Sequence, residues 1–339
     1  MIQRSWTVIS IDKLLRAKLG RNLRQYPSLL PKGASLLVAV SGGQDSVCLL
    51  QLLVWWQKRW GWRLVVAHCD HRWRTDSHDN ALFVQNLAHQ WQLPFGLAVA
   101  DSPLPNEASA RQWRYQQLHR LAIEQGCRIM VTGHTMNDRA ETFLYNLLRG
   151  CGTDGLGSLT WQRNLQYPDL PAVSLVRPLL HISRQETGEF CRHLQLPVFW
   201  DSTNDDWQYA RNRLRQELIP YLEQHFNPQV IKHLAQTGEL LHIDMAYLEA
   251  QAQQFWQTQD INQPALDRAV LGGYHPALQK RIVRQFLQHH LSAPVDYAQV
   301  HKFCHLLTAP NGSQTDPFPS AVVGIVKGNY IYLQSISKP

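Results

Sequence analysis

From residue 35 onward, short apolar runs alternate with longer stretches of helical periodicity. Leu36-Leu37-Val38-Ala39-Val40 is a run of the first kind, and similar runs predict strands at 35–40, 63–68, 95–99 and 128–132. Apolar residues recurring every three or four positions predict helices at 45–58, 77–91, 107–125 and 138–148. Strands separated by helices pair in parallel, so the expected fold class is α/β: a doubly wound, Rossmann-like parallel sheet. Residues 12–26 read as a short helix with an apolar and a basic face. The stretch 150–175 holds four glycines, then Pro168 and Pro171, and reads as a flexible loop. Ser183-Arg184-Gln185-Glu186 is a capping box that opens a helix through about Leu194. A loop from Trp200 to Trp207 leads into a basic helix. Beyond about residue 220 the alternation stops: helical patterns fill 228–256 and 276–307, and 320–334 alternates like a small β-unit. The chain thus divides near 220 into an α/β domain, 1–220, and a mainly helical C-terminal region with a small β-unit, 221–339.

In a doubly wound sheet, ligands bind at the carboxyl ends of the strands, and polar residues gather there. The first set is Ser41-Gly42-Gly43-Gln44-Asp45-Ser46, between the apolar run 36–40 and another at 47–53. It reads as strand, tight turn, helix. Gly42 and Gly43 let the backbone approach a ligand, and the N–H groups and dipole of the first helical turn favour an anion. Ser41 and Ser46 add hydroxyl donors. Asp45 is a carboxylate among phosphate donors. It either holds a divalent cation that phosphates share or merely complements the helix dipole at a turn. The Walker lysine and the dinucleotide fingerprint are both missing.

The second strand ends Ala67-His68-Cys69-Asp70-His71. A metal cage suits the composition, but His68 and His71 differ in parity along a strand. A wall for a nucleotide, with Asp70 near the reaction centre, suits the pattern better. Glu107, Arg111 and Arg114 share one helical face. They form either an exposed ion-pair ladder or, beside a nucleotide, groups that neutralise phosphate or orient a base. Gly133 and His134 follow the fourth strand, and Asp138 and Glu141 project from one face of the helix beyond. These acids either cap that helix or hold a cation, a metal or the ammonium of an amine substrate. Last come Arg211, Asn212, Arg213 and Arg215. Arg211 and Arg215 share a helical face and Arg213 sits on another. The set is either a solvated basic surface or a group of phosphate contacts on a polynucleotide.

Charge supplies a partner. The net charge of +7 and pI near 9.1 favour an acidic one, nucleic acid first. The six cysteines contain no CxxC pair, so a zinc knuckle, a redox pair and a Cys-ligated cluster are unsupported. No apolar run approaches the ~18 residues that span a membrane, and no charged-then-apolar leader opens the chain. The expected location is cytoplasmic.

The loop at Ser41–Ser46 is similar to the SGGxDS loop of the PP-loop ATP pyrophosphatases, which cleave ATP between its α and β phosphates. Together the sets resemble the tRNA(Ile)-lysidine synthetases. The resemblance is carried by that loop, by Asp70 and His71, and by Glu107, Ala110, Arg111, Arg114 and Tyr115. Gly133, His134, Asp138, Ala140, Glu141 and Thr142 carry it further, as do Leu147–Gly150 and Asn204 with Arg211–Arg215. It covers about 36–220 by motif and the remainder by layout. One departure stands out: the family carries an acidic pair where this chain has Asn137-Asp138, which leaves any shared work to Asp138.

The resemblance implies a PP-loop ATP-binding catalytic domain over 1–220 and a tRNA-binding region over 221–339. It implies ATP and Mg²⁺ as cofactors, with L-lysine and a tRNA(Ile) bearing a CAU anticodon as partners. The C2 oxygen of the wobble cytidine is adenylated, pyrophosphate leaves, the lysine ε-amine attacks C2, and AMP leaves, giving lysidine. On this reading Asp45, Asp70 and Asp138 are catalytic, with Asp45 also the metal ligand. Ser41, Gly42, Gly43, Gln44, Asp45, Ser46, His68, Gly133 and His134 hold ATP. Arg111, Arg114, Asp138, Glu141, Arg211, Asn212, Arg213 and Arg215 meet tRNA or lysine. The base that deprotonates lysine is unassigned, with Asp138 the first candidate. No membrane partner is expected, and a homodimer is left open. Two other readings are a PP-loop tRNA thiolase, whose chemistry commonly needs paired cysteines, and a non-catalytic RNA-binding protein. The intact set Asp45, Asp70, Asp138 and Glu141 argues against the latter.

Overall fold

The computed structural model describes residues 10–72, 76–104, 106–157, 159–200, 210–319 and 321–336. The Glu107 side chain and the segment 201–209, with Asn204, lie outside the described residues. The chain separates into two compact units, Met1–Leu241 and His242–Pro339. The sequence pattern puts the boundary near 220, about twenty residues earlier. The later division follows from packing: Leu214 and Ile219 bury against Leu144, with Leu222, Ile231 and Leu234 around them, so this stretch belongs to the first unit.

The first unit opens with α1 (Ile11–Gln25), then alternates β1 (Ser35–Ala39), α2 (Gln44–Trp60), β2 (Arg63–Asp70), α3 (Ser77–Gln90), β3 (Phe95–Val99), α4 (Glu107–Glu124), β4 (Ile129–Thr132) and α5 (Met136–Leu148). The strands stand in the order β3-β2-β1-β4, each parallel to its neighbour, with Leu36 of β1 level with Leu64 of β2 and Ile129 of β4. Side chains alternate across the sheet. Leu36 and Val38 face a core shared with Leu49 and Leu53 of α2, while Leu37 faces the opposite core with Leu118 of α4 and Met130. Burial on both faces explains why these strands read as unbroken apolar runs.

The stretch 150–175 is not a loop. It folds as the short helix α6 (Gly152–Leu156) and the hairpin β5 (Gln162–Tyr167) and β6 (Leu170–Val176). Strand β6 joins β4 in parallel and β5 pairs antiparallel at the edge, completing the sheet β3-β2-β1-β4-β6-β5. Pro168 and Asp169, the latter at φ 60°, make the hairpin turn. An edge strand exposes one face, which accounts for the polar sequence of β5.

Helix α7 (Arg184–His193) follows and packs on α2. Its capping box forms as expected: Ser183 Oγ accepts the Glu186 N–H and the Glu186 carboxylate accepts the Ser183 N–H. Then come α8 (Ala210–Arg213), a π-helical stretch at Leu214–Leu218, α9 (Ile219–His225) and the long α10 (Val230–Thr258).

The second unit contains β7 (Ala265–Asp267), α11 (Arg268–Gly272), α12 (Pro276–His290), α13 (Tyr297–Cys304), β8 (Val322–Lys327) and β9 (Tyr330–Ser335). Its antiparallel sheet runs β7-β9-β8 over a core built on Phe286, Phe303 and Ile331. No described helix is long and apolar enough to cross a membrane.

Candidate active site

Strand order reverses between β1 and β4, and ligands of such sheets sit at that switch, beyond the strand carboxyl ends. A cavity of about 320 Å³ lies there. Of the expected residues, Ser41, Asp45, Ser46, His68, Asp70, His71, Arg114, Gly133, His134 and Asp138 line it. Gly42, Gly43 and Gln44 complete the loop beside them.

The loop is tightly packed. Gly42 sits at φ +91°, and a Cβ there would lie 2.4 Å from Asn80 Oδ1. Gly133 is constrained by space instead: its Cβ would lie 2.9 Å from the Asp45 carbonyl oxygen. The β4–α5 turn therefore rests directly on the first turn of α2. Ser46 Oγ accepts the Ser41 N–H at 3.2 Å and donates to the Gly43 carbonyl at 2.8 Å. Asn80 Nδ2 donates to the Ser41 carbonyl at 3.1 Å. Gln44 turns toward α7, where its amide donates to the Arg184 carbonyl at 2.7 Å. Its side chain braces α7 and is not among the groups that line the cavity.

Asp45 is held by α7. The Thr187 hydroxyl donates to Asp45 Oδ1, and Arg184 Nε stands 3.4 Å from Oδ2. Burial nevertheless pushes the Asp45 carboxyl up to about 6; Arg184 opposes the shift and the charge of Asp138 adds to it. A buried acid beside a second acid is a place where added positive charge is favoured.

On the opposite wall, His68 is buried and its Nδ1 pairs with the Val40 carbonyl at 2.7 Å. Burial lowers its pKa, so the ring is neutral near pH 7. Asp70 Oδ1 accepts the Arg72 N–H at 2.8 Å. His71 Nε2 accepts from Arg114 Nε at 2.9 Å. His68 and His71 therefore take separate partners. Arg111 stands apart from the cavity lining, its guanidinium 5.1 Å from the Tyr115 ring centroid.

Asp138 serves two purposes at once. Its Oδ2 caps α5, accepting the Thr135 N–H at 2.7 Å and hydroxyl at 2.8 Å, while the residue also lines the cavity. Burial opposes its charge, but the Thr135 bonds and the nearby Arg184 favour it, and Asp138 lies below the usual carboxylate range. His134, bonded to Thr132 Oγ1 at 2.8 Å, is lowered to about 3 by burial. Glu141 is 4% exposed and binds Arg215 through both carboxylate oxygens, at 2.7 and 2.8 Å.

Arg215 keeps the face it shares with Arg211: Arg211 meets Tyr145 and Arg215 meets Glu141, one turn apart on α5. The π-helical stretch begins at Leu214, and the shared face turns inward to α5. Arg213 is exposed and Asn212 half-buried. Arg211 lies 5.8 Å from the Tyr145 ring centroid.

Sequence reading missed Arg184, Thr187 and Asn80. The capping box located the start of α7, but only the packing of α7 on α2 brings Arg184 and Thr187 to Asp45.

The fold and loop define a PP-loop ATP-binding protein, and comparison with known proteins agrees. Residues 15–222 match the PP-loop domain family, and 266–327 match the TilS substrate binding domain. A tRNA(Ile)-lysidine synthase of Nostoc sp. is 49% identical over 336 residues, 95% of this chain and 97% of that protein. One from Synechocystis sp. is 48% identical, covering 94% and 97%. A chloroplastic tRNA(Ile)-lysidine synthase of Pyropia yezoensis is 38% identical, covering 80% and 82%. A U34-tRNA thiolase from Methanococcus maripaludis shares the fold, with a TM-score of 0.56 at 19% identity over 68% of this chain and 78% of that one. The chain belongs to the tRNA(Ile)-lysidine synthase family. It is an ATP-using ligase of tRNA processing.

Proposed function

We propose that this enzyme joins the ε-amine of L-lysine to C2 of the wobble cytidine in a tRNA(Ile) with a CAU anticodon, in the cytoplasm. The observation that carries the proposal is one cavity lined both by a phosphate-type loop and by Asp138. ATP enters the cavity with its phosphates against the loop, and adenylation of the C2 oxygen releases pyrophosphate. Lysine then displaces AMP.

The residues present suit ATP and Mg²⁺. Gly42 and Gly133 leave no room for side chains where the loop meets its neighbours. Asn80 keeps a buried amide oxygen without a hydrogen-bond partner among the described residues, an atom that a bound ligand or water could satisfy. Asp45 offers a hard oxygen ligand, and no described group of three or more His, Cys, Asp or Glu is placed to cage a metal. That suits Mg²⁺, which takes one or two carboxylates and completes its shell with phosphate and water. Asp45 would hold Mg²⁺, and the ion would supply positive charge to the departing pyrophosphate.

The chain's own groups do the rest. The Ser41 and Ser46 hydroxyls and the α2 N-terminus stabilise negative charge at the loop. Arg184 offsets the charge of Asp45. His134, neutral, accepts or donates one hydrogen bond without adding charge. Lysine arrives as an ammonium with a reference pKa of about 10.4, and Asp138 and Glu141 attract it. Asp138, held as a carboxylate and open to the cavity, orients the amine, and it is the first candidate to take its proton as the C2–N bond forms.

A thiolase reading lacks its chemistry here, since Cys69 is the cysteine that lines the cavity and no second one joins it among the described residues. Transfer of labelled lysine to tRNA, dependent on ATP, tests the proposal. Label left wholly unbound to tRNA would refute it.

A further inference from the structure

Arg177 follows β6 and carries a charge that no acid answers. Its neighbour Val176 pairs with Val131 of β4, which sets Arg177 at the carboxyl end of the sheet, level with Thr132 of the cavity wall. Side chains alternate along a strand. Leu175 shares a core with Tyr115 and Leu118 of α4, so Arg177 continues on the α4 side of the sheet. The residue is 2% exposed. Its Nη1 donates to the Thr160 carbonyl at 2.8 Å. Its Nε has no hydrogen-bond partner, and no carboxylate among the described residues pairs with it. Arginine is rarely buried this deeply unless paired, and a buried charge without a counter-charge is costly.

Other guanidiniums gather on the same side. Helix α4 carries Arg111, which stands over the Tyr115 ring, and Arg114, which is exposed and lines the cavity. The Tyr115 hydroxyl lies against Arg177 and favours its charge. Tyr115, itself part of the cavity wall, is thus held between two cations. Arg177, Arg111 and Arg114 all act on His134 and disfavour its charged form. Asp138, which also lines the cavity, is already bonded to Thr135. The wall therefore keeps an excess of positive charge. In the proposed function the Ser41–Ser46 loop takes the phosphates of ATP, which leaves this wall to a phosphate of the polynucleotide.

We infer that Arg177 is a positioning residue for tRNA: it braces Tyr115 and adds fixed positive charge beneath Arg111 and Arg114, so that a phosphodiester next to the target nucleotide is seated against α4. The inference rests on the proposal that a tRNA nucleotide enters this cavity.

Filter binding of a tRNA(Ile) transcript to the full-length protein over a salt series, together with single-turnover lysine transfer, tests it. Arg177→Gln keeps a donor for the Thr160 carbonyl and removes the charge. It should bind tRNA about tenfold more weakly and lower the slope of log affinity against log salt by about one. ATP binding alone should stay within about twofold of the wild type, and transfer at saturating tRNA should run near the wild-type rate. Arg177→Lys should restore the slope. Because the lost charge is buried and unpaired, Arg177→Gln should melt no lower than the wild type. Arg177→Met, also uncharged, should show the same loss of slope and serves if Arg177→Gln does not fold. An unchanged slope in the uncharged variants overturns the inference, and so does weakened ATP binding with normal tRNA binding. Either result leaves the proposed function standing so long as the wild type transfers lysine. A wild type that binds tRNA and transfers none refutes that function instead.

Discussion

The side-chain carbonyl of Asn137 accepts the backbone N–H of Arg184 at 2.9 Å. This bond ties α5 to the first residue of α7, and α7 in turn carries Arg184 and Thr187 onto Asp45. It gives a physical account of the chain's departure from the acidic pair of the family. An asparagine supplies the same acceptor oxygen as an acid, without the charge. Asn137→Ala should therefore cost about 1 kcal/mol of stability, the usual value of one such hydrogen bond. Asn137→Asp should keep the bond and the stability. Thermal denaturation of both variants checks this, and equal losses would show that the bond is incidental.

Asp45 should make stability depend on pH. Its pKa rises from 3.8 to about 6 on folding, because burial outweighs Arg184. Below pH 4 the acid is protonated in both states and has no effect. Between pH 4 and 6 the unfolded chain loses the proton first, so stability falls as pH rises. Above pH 6 the loss is complete, at about 3 kcal/mol for a shift of about two units. Asp45→Asn should therefore stabilise the ligand-free protein at pH 8, and the gain should disappear by pH 4. The same variant should release almost no pyrophosphate while binding tRNA normally. A variant less stable than the wild type at every pH would show that the bonds to Thr187 and Arg184 outweigh burial.

Much of this was legible in the sequence because the elements of the central sheet are buried on both faces. Leu36–Val40 and Leu64–Ala67 have no solvent face to confuse the pattern, and the loop Ser41–Ser46 sits where strand and helix signals meet. The hairpin β5–β6 was not legible. Its outer strand reads Gln162-Arg163-Asn164 because an edge strand can afford polar residues, and Pro168 and Pro171 look like loop markers. The four-residue spacing of Arg211 and Arg215 showed their shared face, but not that this face turns inward to Tyr145 and Glu141 of α5, which the tertiary packing of Leu214 and Ile219 decides. Arg184 and Thr187 were invisible as site residues because the chain separates them from Asp45 by about 140 positions.

The arginines of α8 should behave as phosphate contacts. Arg211→Ala and Arg213→Ala should each weaken tRNA binding and lower the slope of log affinity against log salt by about one. ATP binding alone should change little. Filter binding over a salt series measures the slope, and an unchanged slope in both variants would mark the face as merely solvated.

Asp138 and Glu141 should separate amine capture from adenylation. Asp138→Asn retains an oxygen to cap Thr135, and Glu141→Gln retains the shape of its partner site. Both should raise the lysine concentration needed for transfer by at least about tenfold, equivalent to 1.4 kcal/mol, while the dependence on ATP stays near its original value. Single-turnover transfer to pre-adenylated tRNA reads this directly. Failure at adenylation with normal lysine dependence would move the pair to the metal site.

The central claim is that one cavity joins lysine to the wobble cytidine. Its most direct test is mass analysis of the wobble nucleoside after incubating the enzyme with ATP, Mg²⁺, isotopically labelled lysine and a tRNA(Ile) transcript bearing CAU. A nucleoside heavier than cytidine by one labelled lysine less one water should form, and only when ATP, lysine and tRNA are all present. Unaltered cytidine, or a nucleoside in which sulfur has replaced the C2 oxygen, would contradict it.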